Sequence, residues 1–482
     1  MAPRRRGDDG PPALTFDVAI VGAGVVGTAI ARELAGWELD CVLVEASDDV
    51  GTGTSKANTA ILHTGFDAKP GTLEARLVRR GHALLTEHGP RLGIPIERTG
   101  ALLVAWTADE EAALATVARR AAENGYGATR PVAADELRAL EPQLGPAARA
   151  ALLVPDEHIV CPVTPPLAFA TEAVANGVTL RLNARVTGVR RADDASTLLT
   201  SAGDVRTRWV VNAAGLYADV IDGFFGHERF TVRPRRGELV VFDKLARPLL
   251  RHTILPVPTA ITKGVLVAPT VFGNVVLGPT ADEVPERDAT ETTSAGIASL
   301  LARGARILPA LADEEVTALY SGLRAATEDP DYRIFFHPDA RYVCVGGIRS
   351  TGLTASMAIA EHVVEGLRDA GLAPPRRPAF REIRMPNLGE AFPRPYQEPE
   401  RIAANPDYGC IVCHCERVTR GEIVDATRAP IPARTLDGLR RRTRAGFGRC
   451  QGFYCLAEVT RLLAEATGAP AAALLRVPGG VP

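Results

Sequence analysis

The sequence predicts an α/β protein that opens on a strand–turn–helix–strand unit and closes in a separate, mainly helical module. Two observations carry this. Residues 16–21 read as a buried strand followed by Gly22-Ala23-Gly24-Val25-Val26-Gly27, a helical stretch at 28–35 and an apolar strand at 41–44 that ends at Glu45. The cysteines are uneven: Cys41, Cys161 and Cys344 stand alone, whereas Cys410, Cys413, Cys415, Cys450 and Cys455 crowd the last 73 residues. Charge divides at the same place, because the stretch from Cys410 onward has eleven arginines against six acidic residues in a chain of net charge −2.

The remaining elements follow from local pattern. A strand at 100–106 precedes amphipathic helices at 107–125 and 133–141. Residues 178–211 alternate as short strands, and a strand at 209–213 runs into a glycine turn at Gly215. A strand-rich middle spans 230–279, followed by a helix near 294–307. A late strand at 342–345 leads through Gly346-Gly347-Ile348-Arg349-Ser350-Thr351-Gly352 to a helix at 356–367. Residues 371–409 hold eight prolines in 39 positions and read as an extended linker. Thr419 and Glu422 form a capping box that starts a helix at 419–426, and 452–466 reads as the closing helix.

At 482 residues, 46% hydrophobic and 23% charged, the chain has the length of about three domains and is neither disordered nor fibrous. The near-zero net charge removes the basic footprint of a nucleic-acid binder. Of 55 basic residues only Lys56, Lys69, Lys244 and Lys263 are lysine, so arginine clusters carry less functional weight than usual. The three arginines near the start precede no apolar stretch, which makes a poor leader. The longest uncharged run, 264–281, is broken by Gly273, Gly278 and two prolines and reads as strand–turn–strand, so no transmembrane segment is expected. Isolated core cysteines fit a reducing compartment. The expected location is cytoplasmic, with membrane contact only through a partner.

Gly22, Gly24 and Gly27 fit the dinucleotide fingerprint in its required setting, after a strand and opening a helix. The glycines permit a tight turn and close approach to a pyrophosphate, and the helix N-terminus offers unpaired N–H groups. Glu45, 23 residues after Gly22, would accept from the ribose hydroxyls and disfavours a 2′-phosphate. Asn212-Ala213-Ala214-Gly215-Leu216-Tyr217-Ala218-Asp219 and the 347–352 loop add glycine turns much later in the chain.

With these three segments the chain resembles the FAD-dependent amino-acid oxidase/glycerol-3-phosphate dehydrogenase superfamily over roughly residues 15–370. The resemblance implies a discontinuous Rossmann-like FAD domain (15–90, 151–225 and 336–370) interleaved with an α+β substrate domain (91–150 and 226–335), then a linker at 371–407. It places Gly347, Gly352, Leu353 and Thr354 at the flavin, with a helix N-terminus aimed at the N1/O2 edge. More particular strings are Thr54-Ser55-Lys56-Ala57-Asn58-Thr59-Ala60-Ile61-Leu62-His63-Thr64-Gly65-Phe66, Lys69-Pro70-Gly71-Thr72-Leu73, Gly278-Pro279-Thr280-Ala281 and Ser321-Gly322-Leu323-Arg324. Together with Gly347-Ile348-Arg349-Ser350-Thr351-Gly352-Leu353-Thr354 they look like the anaerobic type of glycerol-3-phosphate dehydrogenase and its relative L-2-hydroxyglutarate dehydrogenase.

Both implied substrates are small alcohols carrying an anion, whose oxidation needs a hydride acceptor, a proton acceptor and cations that orient the anion. Arg324 and Arg349 are the expected anchors, since guanidinium matches phosphate or carboxylate bidentately; the plainer reading is a surface or ion-paired arginine. His63, in the string the resemblance runs past the flavin, is the expected base, against a histidine that merely hydrogen-bonds flavin or backbone. Lys263 ranks third. Cys161, beside Pro162, reads as a buried structural thiol, and His82, His88 and His227 carry no signal.

Cys413-His414-Cys415 and, 34 residues on, Cys450-Gln451-Gly452-Phe453-Tyr454-Cys455 give four thiolates suited to tetrahedral zinc or an iron–sulfur cluster. With Gly446, Gly448 and Arg449 alongside, residues 408 to about 468 resemble the bacterioferritin-associated-ferredoxin type of [2Fe-2S] domain, which implies Cys413, Cys415, Cys450 and Cys455 as ligands and leaves Cys410 out; the domain is taken as 408–482. Arg440, Arg441, Arg442, Arg444 and Arg449 would offset the cluster's charge or form a docking face. The function expected is a dehydrogenase that oxidises sn-glycerol 3-phosphate to dihydroxyacetone phosphate and sends electrons through the cluster to a separate acceptor chain or quinone-linked partner. The rivals are a 2-hydroxy acid dehydrogenase, an amine or amino-acid dehydrogenase, and a non-catalytic electron carrier.

Overall fold

The computed structural model describes residues 15–258 and 264–475. Lys263 lies outside them. The first body is built on a sheet of eight strands whose centre is parallel. Thr15–Val21 lies between Cys41–Val44 and Val205–Asn212; Thr179–Arg181 extends one side and Tyr342–Gly346 the other. Strands buried on both faces should be continuously apolar, as Cys41–Val44 and Tyr342–Gly346 are, and as residues 18–21 and 209–211 are within the longer strands. Val18, Ile20, Leu43, Val211 and Val343 pack with the helices Val25–Leu34, Leu73–Leu92, Thr164–Ala175 and Gly352–Asp369 on one face. Ala19, Val42, Val44, Val210 and Tyr342 fill the other.

Register places the loops together. Val21 pairs with Val44 and Asn212, and Asn212 with Cys344, so the turns after these strands emerge along one carboxyl edge. Three stretches far apart in sequence thus share the sheet edge where α/β folds bind nucleotides. The α/β class expected from sequence is the class observed.

The second body is a nine-stranded, largely antiparallel sheet. Ala101–Ala105, Arg130–Ala133 and Ala150–Val154 come from an early insertion, and Arg233–Phe242, Thr253–Pro256, Leu266–Pro269, Val275–Gly278, Asp282–Glu283 and Val316–Ala326 from a later one. The parallel pairing of Thr253–Pro256 with Ala101–Ala105 fuses the two. The uncharged run forms the hairpin Leu266–Pro269/Val275–Gly278. No helix among the described residues is long and apolar enough to cross a membrane.

The proline-rich segment is a strap rather than a free spacer. The Arg377 guanidinium donates to the carbonyls of Trp37 (2.8 Å) and Leu39 (3.0 Å), the Met385 N–H to Leu92 (2.9 Å), and the Glu390 N–H to Val271 (2.8 Å). Prolines also start structure here: Pro399 opens the helix Pro399–Ala404, where its missing N–H costs nothing.

The C-terminal body has a short hairpin, Ile411–Cys413 with Val418–Thr419, and the helices Arg420–Arg428, Leu436–Thr443 and Leu456–Thr467 around one apolar cluster. The capping box forms: the Thr419 N–H donates to Glu422 Oε2 at 2.8 Å and the Glu422 N–H to Thr419 Oγ1 at 3.2 Å. The closing helix starts at Leu456 rather than Gly452, because 448–455 is wound into successive turns that carry Cys450 and Cys455.

Candidate active site

The dinucleotide turn is dictated by crowding. A Cβ on Gly22, where φ is +101°, would lie 2.6 Å from the Ala213 carbonyl oxygen, and one on Gly27 would lie 1.9 Å from that of Gly22. Gly24 differs: its Cβ would face the groove and meet only Ser55 Oγ, at 3.3 Å. Ser55 Oγ itself accepts from the Val25 N–H at 2.9 Å. The Glu45 carboxylate sits beneath the turn, accepting from Ala23 N–H (2.6 Å) and Ser47 N–H (2.9 Å) and keeping a lone pair on each oxygen for a ribose hydroxyl.

A groove of about 800 Å³ runs from this turn to the far loop, lined by Gly24, Val25, Gly215, Gly347, Gly352 and Leu353 among others. Gly352 and Leu353 open the helix Gly352–Asp369, so its first-turn N–H groups, unpaired within the helix, face that end. Thr354 does not line the groove. It is fully buried, and its Oγ1 accepts the His63 N–H at 3.0 Å, which ties the helix to the segment running past it.

A second cavity of about 1,580 Å³ opens from the groove toward the antiparallel sheet, and His63, Arg324 and Arg349 all line it. His63 and Arg349 line the groove as well, so these two stand where the spaces join, and Arg324 lines only the second cavity. Arg324 lies against the Thr280 carbonyl at 3.4–3.5 Å, with no carboxylate at ion-pair distance among the described residues. Burial, and then Arg235, lower its pKa to about 10. Gly237 makes room for it, since a Cβ there would stand 2.7 Å from the guanidinium. Arg349 is held instead, by Glu74 at 3.3 Å and the Pro330 carbonyl.

One residue escaped the sequence reading. Glu157 is fully buried and lines the cavity, with Oε1 2.6 Å from Nδ1 of His63 and Oε2 accepting from Thr64 N–H (2.7 Å) and Thr64 Oγ1 (3.0 Å). A lone acid in a short turn carries no local pattern; only strand pairing, with Leu62 opposite His158, brings it to His63. Cys161 is buried, as expected, and its Sγ accepts from Thr164 Oγ1 at 3.0 Å.

The four expected cluster thiols lie as two neighbouring pairs, Cys413 with Cys455 and Cys415 with Cys450. Cys455 donating to Cys413, with the N–H groups of Gly446 and Glu416, draws the Cys413 thiol down to about 6. Two pairs of thiolates would give each of two irons two ligands. A Cβ on Gly448 would sit 2.2 Å from that of Cys415, so glycine is required there. Cys410 takes no part in either pair.

Most of the arginines beside the cluster dock the module. Arg441 and Arg442 converge on Asp49, Arg444 stacks 3.8 Å over Phe272 and binds Glu416 at 2.8 Å, and Arg449 pairs with Glu315. Glu416 in turn takes Lys244 at 3.3 Å. On the outer side Phe453 and Tyr454, between two cluster cysteines, are 84% and 75% exposed.

A groove ending at a helix N-terminus, a cavity lined by an imidazole and two guanidinium groups, and a four-thiol module suit a flavin oxidoreductase with an appended iron–sulfur domain. The comparisons agree. Residues 17–366 match the FAD dependent oxidoreductase family, to which the chain belongs, and 411–465 match the BFD-like [2Fe-2S] binding domain. The chain is 35% identical to a glycerol 3-phosphate dehydrogenase of Caloramator mitchellensis over 94% of its own length and 95% of that protein's. It is 27% identical to one of the subunits of the anaerobic glycerol-3-phosphate dehydrogenase of Escherichia coli, covering 93% and 88%. Among solved structures, the dithionite-reduced L-alpha-glycerophosphate oxidase of Mycoplasma pneumoniae with FAD bound superposes with a TM-score of 0.72 at 29% identity, covering 77% of this chain and 98% of that one.

Proposed function

We propose that the chain oxidises sn-glycerol 3-phosphate to dihydroxyacetone phosphate and is the catalytic component of a larger electron-transfer assembly. The observation that carries the reading is the meeting of His63 with the carboxylate-free guanidinium of Arg324 in a cavity that opens from the flavin groove. When bound, FAD supplies a hydride acceptor and the [2Fe-2S] cluster a one-electron outlet.

The chain's own residues do the rest. Arg324, given room by Gly237 and paired with no carboxylate among the described residues, takes the phosphate. Arg349, fixed by Glu74, adds positive charge where cavity and groove meet. His63 accepts the carbinol proton at Nε2. Gly22, Gly24, Gly27, Glu45, Gly215, Gly347, Gly352 and Leu353 hold the dinucleotide, and Cys413, Cys415, Cys450 and Cys455 the cluster. Relatives named for glycerol 3-phosphate, one of them a component of a multi-chain enzyme, favour phosphate over carboxylate and a partner protein as the electron acceptor. The exposed Phe453–Tyr454 edge leaves the cluster side approachable. We place the protein in the cytoplasm, reaching a membrane only through that partner. Anaerobic addition of sn-glycerol 3-phosphate should bleach the flavin band while L-2-hydroxyglutarate leaves it unchanged; the reverse result overturns the substrate reading.

A further inference from the structure

We infer that Glu157 is the positioning residue of the oxidation, locking His63 in the tautomer whose Nε2 lone pair faces the cavity. The inference rests on the reading of His63 as the base. Glu157 exposes none of its side chain, and no arginine or lysine lies at ion-pair distance among the described residues; its one ion-pair partner there is His63. A buried carboxylate without a counter-charge is costly, so this residue is held for what it does to its neighbour. An ionised carboxylate only accepts hydrogen bonds. Two of its donors, the N–H and hydroxyl of Thr64, are spent on Oε2, and Oε1 is left for Nδ1 of His63. The proton of a neutral imidazole is then fixed on Nδ1, and Nε2 is the acceptor.

Three elements hold this arrangement. The pairing of Leu62 with His158 brings the two segments side by side, the His63 N–H is tied to Thr354 Oγ1, and Glu157 grips both His63 and Thr64. In the reaction the O–H proton passes to Nε2, the C–H bond breaks and its hydrogen departs with both electrons as the hydride that bound FAD would accept, and the C–O single bond becomes the carbonyl. The imidazolium so formed lies against the Glu157 carboxylate, which is stabilised in turn by the charge it lacked. A purely structural Glu157, serving only to pin Thr64, would give none of this coupling.

Two measurements on the FAD-loaded full chain test it. In long-range proton–nitrogen spectra of ¹⁵N-histidine-labelled protein, the resonance missing from His63→Asn should report Nδ1–H and a bare Nε2 in the wild type, and Glu157→Gln should lose that single tautomer. In anaerobic flavin reduction by sn-glycerol 3-phosphate, Glu157→Gln should slow the limiting rate by about 10²- to 10³-fold at unchanged substrate affinity and FAD content. Added to His63→Asn, it should cost no more than about twofold further, because both variants then remove one device. An Nε2–H tautomer in the wild type, or costs that multiply in the double variant, overturns the role of Glu157. A His63→Asn protein that reduces as fast as wild type sinks the base reading itself, and Glu157's role with it.

Discussion

Arg442 grips both carboxylate oxygens of Asp49, at 2.6 and 2.8 Å, across 393 residues of chain. Arg441 adds a third bond at 2.6 Å, so one aspartate in the loop after Cys41–Val44 takes two arginines of the cluster module. All three side chains are buried. Removing one partner of such a set leaves uncompensated charge and costs about 3–5 kcal/mol. Asp49→Asn should therefore keep substrate-driven flavin bleaching, slow cluster reduction, and expose 371–409 to limited proteolysis. An intact variant with wild-type cluster reduction would show that the clamp plays no part in the relay.

The same clamp sets an acid limit. Burial raises the Asp49 pKa, but the bonds from Arg442 and Arg441 outweigh it and hold the carboxyl below its ordinary value. A depressed carboxylate contributes fully above the unfolded pKa, about 3.9, and that contribution vanishes as pH falls through the folded value. Small-angle scattering should show the module seated from pH 7 down to about 4 and loosened only as pH falls further, toward the depressed folded value.

Arg324 should govern substrate affinity. Its charge-assisted bonds are worth about 1.5–3 kcal/mol, so Arg324→Met should raise KM for sn-glycerol 3-phosphate by about 10- to 100-fold and change kcat much less. An unchanged KM in the variant would remove Arg324 from the site.

The glycines of the first turn should separate by role. Gly27→Ala must displace the Gly22 backbone, so it should fold poorly or not at all. Gly24→Ala meets only a side-chain oxygen, so it should fold with a near-normal Tm yet retain less FAD. FAD content and thermal melts distinguish the two.

At the cluster, Cys410→Ser should keep full iron and acid-labile sulfide, whereas serine at Cys413, Cys415, Cys450 or Cys455 should lose both. Zinc without sulfide in the wild type would overturn the iron–sulfur assignment.

What the sequence revealed and hid follows from range. The Gly22–Gly27 turn, the Thr419–Glu422 box and the helix Ser294–Ile307 are local patterns, and each was legible where it stands. A docking face was one of two readings open for Arg441 and Arg442, but their partner was not legible, because Asp49 is nearly four hundred residues away. Glu157 was hidden for a related reason: its meaning comes from strand pairing alone. The strap read as a spacer because its attachments are scattered backbone and single side-chain hydrogen bonds to distant residues, which leave no local periodicity.

The central claim is that electrons taken from the alcohol leave through the C-terminal cluster. The most direct measurement is anaerobic addition of sn-glycerol 3-phosphate to the full chain, followed by flavin absorbance and low-temperature paramagnetic resonance of the cluster. The flavin should bleach, and a reduced [2Fe-2S] signal should grow in after it. A bleached flavin beside a cluster that stays oxidised would contradict the claim.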